Sequence, residues 1–491
     1  MESRGCWRIV HCGKINEQGK TVAKKLEGSW MKRKTTPDLI AGSSRMMDGL
    51  RFYTETVESD RLSTQAFFEA GEAEFAGHRF YWENREKTRK IAGIGHAARL
   101  TSTDGDARFE DIRTQWQRLS SVIVKEEGDQ SPVLFGGFSF DPENRRKSEW
   151  ERFPAALFVV PQIQLVEKDG RTFVSINLIS EDTAAAADFD RLRVIRDRLI
   201  HEAQVKERGT AVKPDVLRIR EYAKADYLRA VEGVRDGIRE GGPEKVVIAR
   251  SVGLEFKTRV RHSEVLEHLA AEQQESYLFG LENGGDFFFG ATPERLVKME
   301  DGRSLTACVA GSIRRGKTAE EDRMLGEGLL KDPKNREEHQ FVVEMIGDVF
   351  RSFCSDIHIP AGPRLLKVRD IQHLFTPVEG KPNAGTDLLD LVQALHPTPA
   401  LGGTPRNEAL RMIRENEKMD RGFYGAPIGW MDTDGDGEFA VAIRSGLLKG
   451  DRAHLYAGGG IVGGSVPEEE YEETWVKFRP MMRALGGVLH G

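Results

Sequence analysis

Cysteine is scarce in this chain: Cys6, Cys12, Cys308 and Cys354 are the 4 present in 491 residues. They are too few and too scattered for a disulfide framework. None forms a CxxC pair, which argues against a structural zinc site. Reduced thiols in a cytoplasm are the expected state. Long apolar runs are missing too; nothing approaches the ~18 residues of a membrane span, so no membrane association is expected. Nor is there an excess of basic charge. The 72 basic and 78 acidic side chains give a formal net charge of −6, so no nucleic-acid partner is expected.

Two motifs are present only in part. Asp432-Thr433-Asp434-Gly435-Asp436-Gly437 begins like an EF-hand loop, but its twelfth position is Ile443, where a bidentate Glu is required. A tight hairpin between Trp430 and Phe439 is expected instead. Gly458, Gly460 and Gly463 match GxGxxG by count. Too little chain follows for a βαβ unit with a ribose-binding carboxylate, so no dinucleotide site is expected.

What is present divides into three stretches. Residues 1–45 are polar and Lys-rich, without the apolar segment of a signal peptide. They read as a disordered extension, or as sequence upstream of a later start such as Met31. Residues 46–215 read as the N-terminal half of an α/β unit. Strands are expected at Phe80–Trp82, Ile91–Gly95, Val133–Phe140 and Ala155–Pro161, then a hairpin of Gln162–Val166 and Thr172–Leu178 turning at Lys168-Asp169-Gly170. A helix is expected over Ala184–Gln204. The Lys-, Glu-, Gly- and Pro-containing stretch 205–217 is the join. Residues 216–491 form the second region, with a helix over Tyr222–Glu240 and a strand over Lys245–Phe256. Strands and helices mix without βαβ spacing, which predicts a large mixed or antiparallel sheet system with outer helices.

Several places carry chemistry. Strand alternation puts Lys245, Val247 and Ala249 on one face. A lysine desolvated there becomes a base, but the strand alone favours a solvated strand-end lysine. Glu294 follows the aromatic strand Phe287-Phe288-Phe289, at the mouth of a turn or as a helix-start carboxylate. On a helix over Lys334–Phe353, Glu338 continues the stripe of Phe341, Val342, Met345, Ile346, Val349 and Phe350. Such a carboxylate needs a metal or an arginine beside it. Glu438–Ser445 reads as one strand in which Ala440 and Ala442 leave room for Arg444, free to grip a carboxylate or to form an inter-strand ion pair. Near the C-terminus, Ala457–Val462 reads as a glycine turn with exposed amides, followed by a helix whose Ser465 and Glu468 have capping-box spacing. Glu470, Glu473 and Lys477 share one face of that helix. Backbone donors, two carboxylates and an ammonium suit a small anion held with a divalent metal.

The order of motifs is more specific than any one of them. Lys245–Arg250, Gly290-Ala-Thr-Pro-Glu-Arg-Leu296, Ala310–Gly316, Arg336-Glu337-Glu338-His339, Ile371–Leu374, His396–Pro405, Gly425–Trp430, Ala442–Ser445 and the Gly/Glu/Lys stretch follow one another. This series resembles the chorismate-utilising enzymes, the isochorismate, anthranilate, aminodeoxychorismate and salicylate synthases, over roughly residues 216–491. The resemblance implies a single α/β (α+β) unit of two large packed sheets with helices outside. It implies chorismate as substrate and Mg²⁺ as cofactor. Glu338 and Glu473 match the metal carboxylates, and Glu470 the neighbouring, often water-linked one. Lys245 looks like the base that activates water and Glu294 like the general acid toward the C4 hydroxyl. Tyr424, Arg444, Lys477 and the amides of Gly458, Gly459 and Gly460 match positions that grip substrate carboxylates. Ser312, His373, Ala400 and Leu401 match further substrate contacts.

Within the family, Lys245 argues against an anthranilate synthase, where Gln is found. Ala400-Leu401 resembles isochorismate synthases rather than the Thr-containing segment of aminodeoxychorismate synthases, and Asn335 in place of Glu leans the same way. Gly459 departs from the commoner GAG pattern. The implied activity is that of an isomerase: water adds at C2 of chorismate and the C4 hydroxyl leaves. The alternatives are salicylate synthesis with pyruvate loss, supported by His373, an aminodeoxychorismate synthase component, and a non-catalytic chorismate-binding subunit. No glutaminase partner is expected. Menaquinone and siderophore supply both remain compatible with the motifs.

Overall fold

The computed structural model describes residues 38–40, 50–60, 62–144, 149–205, 212–221, 224–368 and 371–487. Among these, strands gather into two sheets of 11 and 13 members, covered by helices. That is the mixed two-sheet α/β arrangement expected from the sequence. Both sheets take strands from both halves of the chain. In the larger one, Arg79–Glu83 pairs with Tyr277–Asn283. In the smaller, Val133–Phe138 pairs with Pro427–Asp432.

Most sequence-derived elements are present. Arg79–Glu83, Arg89–Ile94, Ala156–Val160 and the hairpin Ile163–Lys168/Arg171–Glu181 are strands, and Asp182–Val205 is a helix. The Asp-rich segment is a hairpin between Pro427–Asp432 and Gly437–Val441. Within the stretch read as an extension, Asp38–Ile40 instead forms a strand parallel to Ala98–Ser102. The rest of residues 1–45 lies outside the described residues, as do 206–211 of the expected join.

An aromatic cluster fills the space between the sheets. Phe80 of the larger sheet stacks on Phe135 of the smaller at 4.5 Å between centroids, and Trp82, Tyr277, Phe288 and Trp430 join them. Strands bordering this layer are buried on both faces, which is why they read as continuous apolar runs rather than alternating ones.

The larger sheet is also stapled by charge. Arg79 donates to both Glu282 oxygens, at 3.1 and 2.6 Å, and to the Phe68 carbonyl at 2.8 Å. Gly77 N and His262 Nδ1 meet the same carboxylate at 2.7 and 2.5 Å. Burial pushes the Glu282 carboxyl up, but the bonds from His262 and Arg79 outweigh it and bring it to about 2. Arg79→Met strands that carboxylate in the interior. The expected loss is about 3–5 kcal/mol of unfolding free energy, measured by denaturant titration at neutral pH.

Candidate active site

Two chain crossovers build the heart of the site. Asp286–Thr292 belongs to the larger sheet and Arg295–Glu300 to the smaller, so the chain changes sheets at Pro293-Glu294. It changes back between Gly437–Val441 and Ser445–Lys449, at Ala442-Ile443-Arg444. The expected single strand Glu438–Ser445 is therefore broken. Arg444 is no member of a small-residue strand face; it sits in the left-handed region at φ 49°, a conformation rare outside glycine. The crossovers fasten each other: Val441 N donates to Glu294 O and Ala291 N to Arg444 O, both at 3.0 Å. Thr292 Oγ1 accepts from Glu294 N at 3.2 Å, closing a turn rather than starting a helix.

The half-buried Glu294 carboxyl is pushed up to about 7 by desolvation, which Arg444 and Lys245 only partly offset. Tyr424 is buried beside the same groups and stacks on Tyr456 at 5.4 Å. Burial raises its phenol to about 12.

Lys245 opens the strand Lys245–Phe256, as expected. Its Nζ donates to Glu338 Oε1 at 2.8 Å. The alternatives for Glu338, a metal or an arginine, are thus answered here by a lysine. Glu338 also does not continue the buried stripe of its helix Pro333–Phe353: it is 43% exposed, and the stripe runs through His339, Val342, Val343, Ile346, Gly347 and Phe350. Phe341 is exposed as well. Beneath it, His339 bonds the Ala310 carbonyl at 3.0 Å and Thr376 Oγ1 at 2.7 Å. The buried Cys308 thiol lies 3.4 Å from His339 Nδ1.

The C-terminal glycines are strand, not turn. Gly458, Gly459 and Gly460 lie within Arg452–Ile461 and pair with Ala249, Ile248 and Val247. The ladder to Ser445–Lys449 ends at Leu455, so among the described residues no strand lies beside the opposite edge of the glycines. The glycines alternate faces. A Cβ on Gly460 would lie 2.6 Å from Lys245 Cε, and one on Gly459 would lie 3.0 Å from Glu470 Oε2. Bare backbone thus lets a lysine approach from one face and a carboxylate from the other.

That carboxylate comes from the helix Pro467–Ala484. The expected capping box is absent. Val466 is the N-cap residue, with Pro467 at the first turn. Ser465 Oγ is engaged elsewhere, accepting from Val462 N at 3.2 Å and donating to Glu470 Oε1 at 2.7 Å. Burial raises the Glu470 carboxyl, and the neighbouring Glu473 adds to this. Lys477 Nζ meets Glu473 Oε1 and the Gly458 carbonyl, each at 2.7 Å. Arg250 pins the helix from below, its guanidinium 4.3 Å from the Tyr471 ring centre and 4.5 Å from that of Trp475.

A cleft of about 910 Å³ opens here, with Pro293, Ser312, Arg444, Glu473 and Lys477 among its walls. That is ample for a small dianion. Ser312 Oγ and His373 Nδ1 are 2.6 Å apart on paired strands. Burial, then Arg444 and Lys477, lower His373 to about 4, so its ring is neutral at neutral pH. Leu401 is buried in an apolar cluster with Ala400 packed against it, and its Cδ1 lies 3.3 Å from where a Gly425 Cβ would be.

Among the described residues no group of three His, Cys, Asp or Glu side chains is gathered closely enough to hold a metal by itself. The donor set is nevertheless of the kind Mg²⁺ takes: carboxylate oxygens open to water, two of them now neutralised by lysines. The buried pair Glu417–Arg421 behind the Lys245 strand was missed by the sequence reading. Its signal was a lone Glu and Arg four apart, just before Gly422-Phe423-Tyr424.

A family profile described as "Chorismate binding enzyme" matches residues 44–486, and the chain belongs to that family. Its curated relatives include isochorismate synthase MenF of Bacillus subtilis (strain 168), 42% identical over 444 residues, which cover 89% of this chain and 93% of that one. The salicylate biosynthesis isochorismate synthase of Pseudomonas aeruginosa is 38% identical over 83% of this chain and 85% of its own. Among solved structures, the menaquinone-specific isochorismate synthase MenF from Escherichia coli superposes with a TM-score of 0.74 at 23% identity, covering 95% of this chain and 99% of that one.

The Glu294 shift carries a stability consequence. Its folded value of about 7 lies above the ordinary 4.5, so the proton it holds favours the fold at low pH. That contribution is lost as pH rises through 7. Glu294→Gln is expected to be about 1–3 kcal/mol more stable than the parent at pH 8, with a much smaller gain at pH 5, as read by thermal melts at both values.

Proposed function

We propose that this chain converts chorismate reversibly to isochorismate. The observation that carries the reading is the placement of Lys245 and Glu294 as electrostatic neighbours on separate segments beside Arg444, in a chain 42% identical to an isochorismate synthase.

Lys245, once its ammonium proton has passed to solvent, takes the proton from the water that attacks C2. Glu294, protonated up to about pH 7 by its buried setting, delivers a proton to the C4 oxygen as that hydroxyl leaves and the ring double bonds shift. Proton donor and acceptor are thereby supplied by different side chains with different environments. Arg444, Lys477 and the free edge of Gly458–Gly460 hold the substrate carboxylates, and Tyr424 and the Ala400-Leu401 segment bound the ring. Fixing the dianion in this way supplies much of the acceleration through orientation. Glu338 and Glu473, with Glu470 beside them, would hold Mg²⁺, which supplies positive charge toward a substrate carboxylate when bound. The neutral His373 ring, bonded to Ser312, is the group to watch for loss of pyruvate.

Chromatography of products from chorismate and Mg²⁺, with the purified chain and no glutamine, tests the reading. Isochorismate alone is the expected product; salicylate with equimolar pyruvate would assign the chain to the alternative. Lys245→Ala is expected to lose at least about 1000-fold in kcat while chorismate binding stays within threefold, measured by fluorescence titration. Wild-type turnover in that variant would remove the base. Glu338→Gln should weaken Mg²⁺ affinity at least tenfold by calorimetry, an expectation of the order seen for loss of a metal-site carboxylate partner. For the parent enzyme, kcat in the chorismate-consuming direction should decline above about pH 7, as Glu294 loses its proton.

A further inference from the structure

The strand Lys245–Phe256 has an incomplete neighbour on the edge away from the glycines. Gly403–Thr404 pairs with Lys245 and Val246, and Val216–Glu221 takes over from Val252 to Phe256. Between them, among the described residues, no strand covers the edge. Side chains and one loop carbonyl do so instead. Val247 N donates to Gly402 O at 3.0 Å. The Val247 carbonyl accepts from Arg421 Nη2 at 2.7 Å, and Ala249 N donates to Glu417 Oε1 at 2.7 Å. Arg421 Nε donates to Glu417 Oε2 at 2.9 Å, and its Nη1 reaches the Leu401 carbonyl at 2.9 Å. The guanidinium also lies 4.2 Å from the centre of the Phe140 ring. Both charged side chains are almost fully buried, at 2% and 3% exposure.

We infer that Arg421, held by Glu417, is a positioning residue for the reaction proposed above: it stands in for a missing strand and sets the spacing between Lys245 and the Ala400-Leu401 wall. The inference rests on that functional reading for its kinetic arm only. The pair is not among the residues that line the 910 Å³ cleft, although the Arg421 carbonyl accepts from Tyr424 N at 2.8 Å. Its bonds go to Val247 and Ala249, two and four residues beyond Lys245 on the same strand face, and to Leu401. An apolar side chain at position 421 would fill the volume but leave the Val247 and Leu401 carbonyls without their donor. A lysine would supply one donor point where a planar fork spans two carbonyls from separate segments.

The test uses Arg421→Met and Glu417→Gln in the full chain. The direct readout is competitive labelling with trace acetic anhydride, scored by mass spectrometry as the rate at Lys245 relative to Lys477. For Arg421→Met the ratio is expected to change at least threefold. kcat should fall about 100-fold, the scale of a 1 Å misplacement, with KM within threefold. Glu417→Gln keeps an acceptor for the Ala249 amide and should shift the same ratio by a smaller factor, with a cooperative melt preserved; it decides the matter if Arg421→Met does not fold. An unchanged ratio in a folded variant overturns the inference, as does a parallel change at Lys245 and Lys477. If the parent makes no isochorismate, the functional reading fails while the labelling ratio still decides this one.

Discussion

The mutual fastening of two chain crossovers is the constraint on which the site depends. Glu294 and Arg444 lie where the chain leaves one sheet for the other, and the backbone carbonyl of each accepts from an amide of the other's strand. Sheets packed face to face bury almost everything between them. The ends of that layer, where the chain must cross, are where polar groups can be partly dry and still reach a ligand. The raised Glu294 carboxyl and the left-handed Arg444 backbone are two results of the same placement.

Around this pair the charges are already balanced. Lys245 has Glu338 and Lys477 has Glu473. A site with this many ionic groups would be costly to assemble if each stood alone. Ion pairs at partly exposed positions hold the side chains near their working places at little net cost. The neutral His373, bonded to Ser312, adds a polar group without adding charge.

Much of this was legible in the sequence, and the failures have causes. The strand at Lys245 showed alternation and strong punctuation, so its bounds were recovered as they stand. The shared face of Glu470, Glu473 and Lys477 followed from helical spacing alone. Crossovers leave no such periodic mark. Ala440, Val441 and Ala442 continue an apolar pattern straight through the point where the chain leaves the sheet, so Glu438–Ser445 looked like one strand. Gly458–Gly460 looked like a turn because glycine usually signals one; here it marks close approach from both faces. The Ser465 capping box failed because the helix begins one residue later, with Val466 as the N-cap and Pro467 in its first turn. Glu417 and Arg421 were invisible because the strand atoms they hold, at Val247 and Ala249, lie over 100 residues away.

The glycine strand also ties catalysis to the order in which the polypeptide can acquire its shape. Val246 pairs with Ile461, and Lys245 meets Glu338 across 93 positions. Such distant pairings form late, after the loops that separate them have closed. An intermediate with well-formed N-terminal hairpins would therefore have no catalytic centre at all. Regain of turnover during refolding should report completion of the whole fold rather than maturation of a pre-existing pocket.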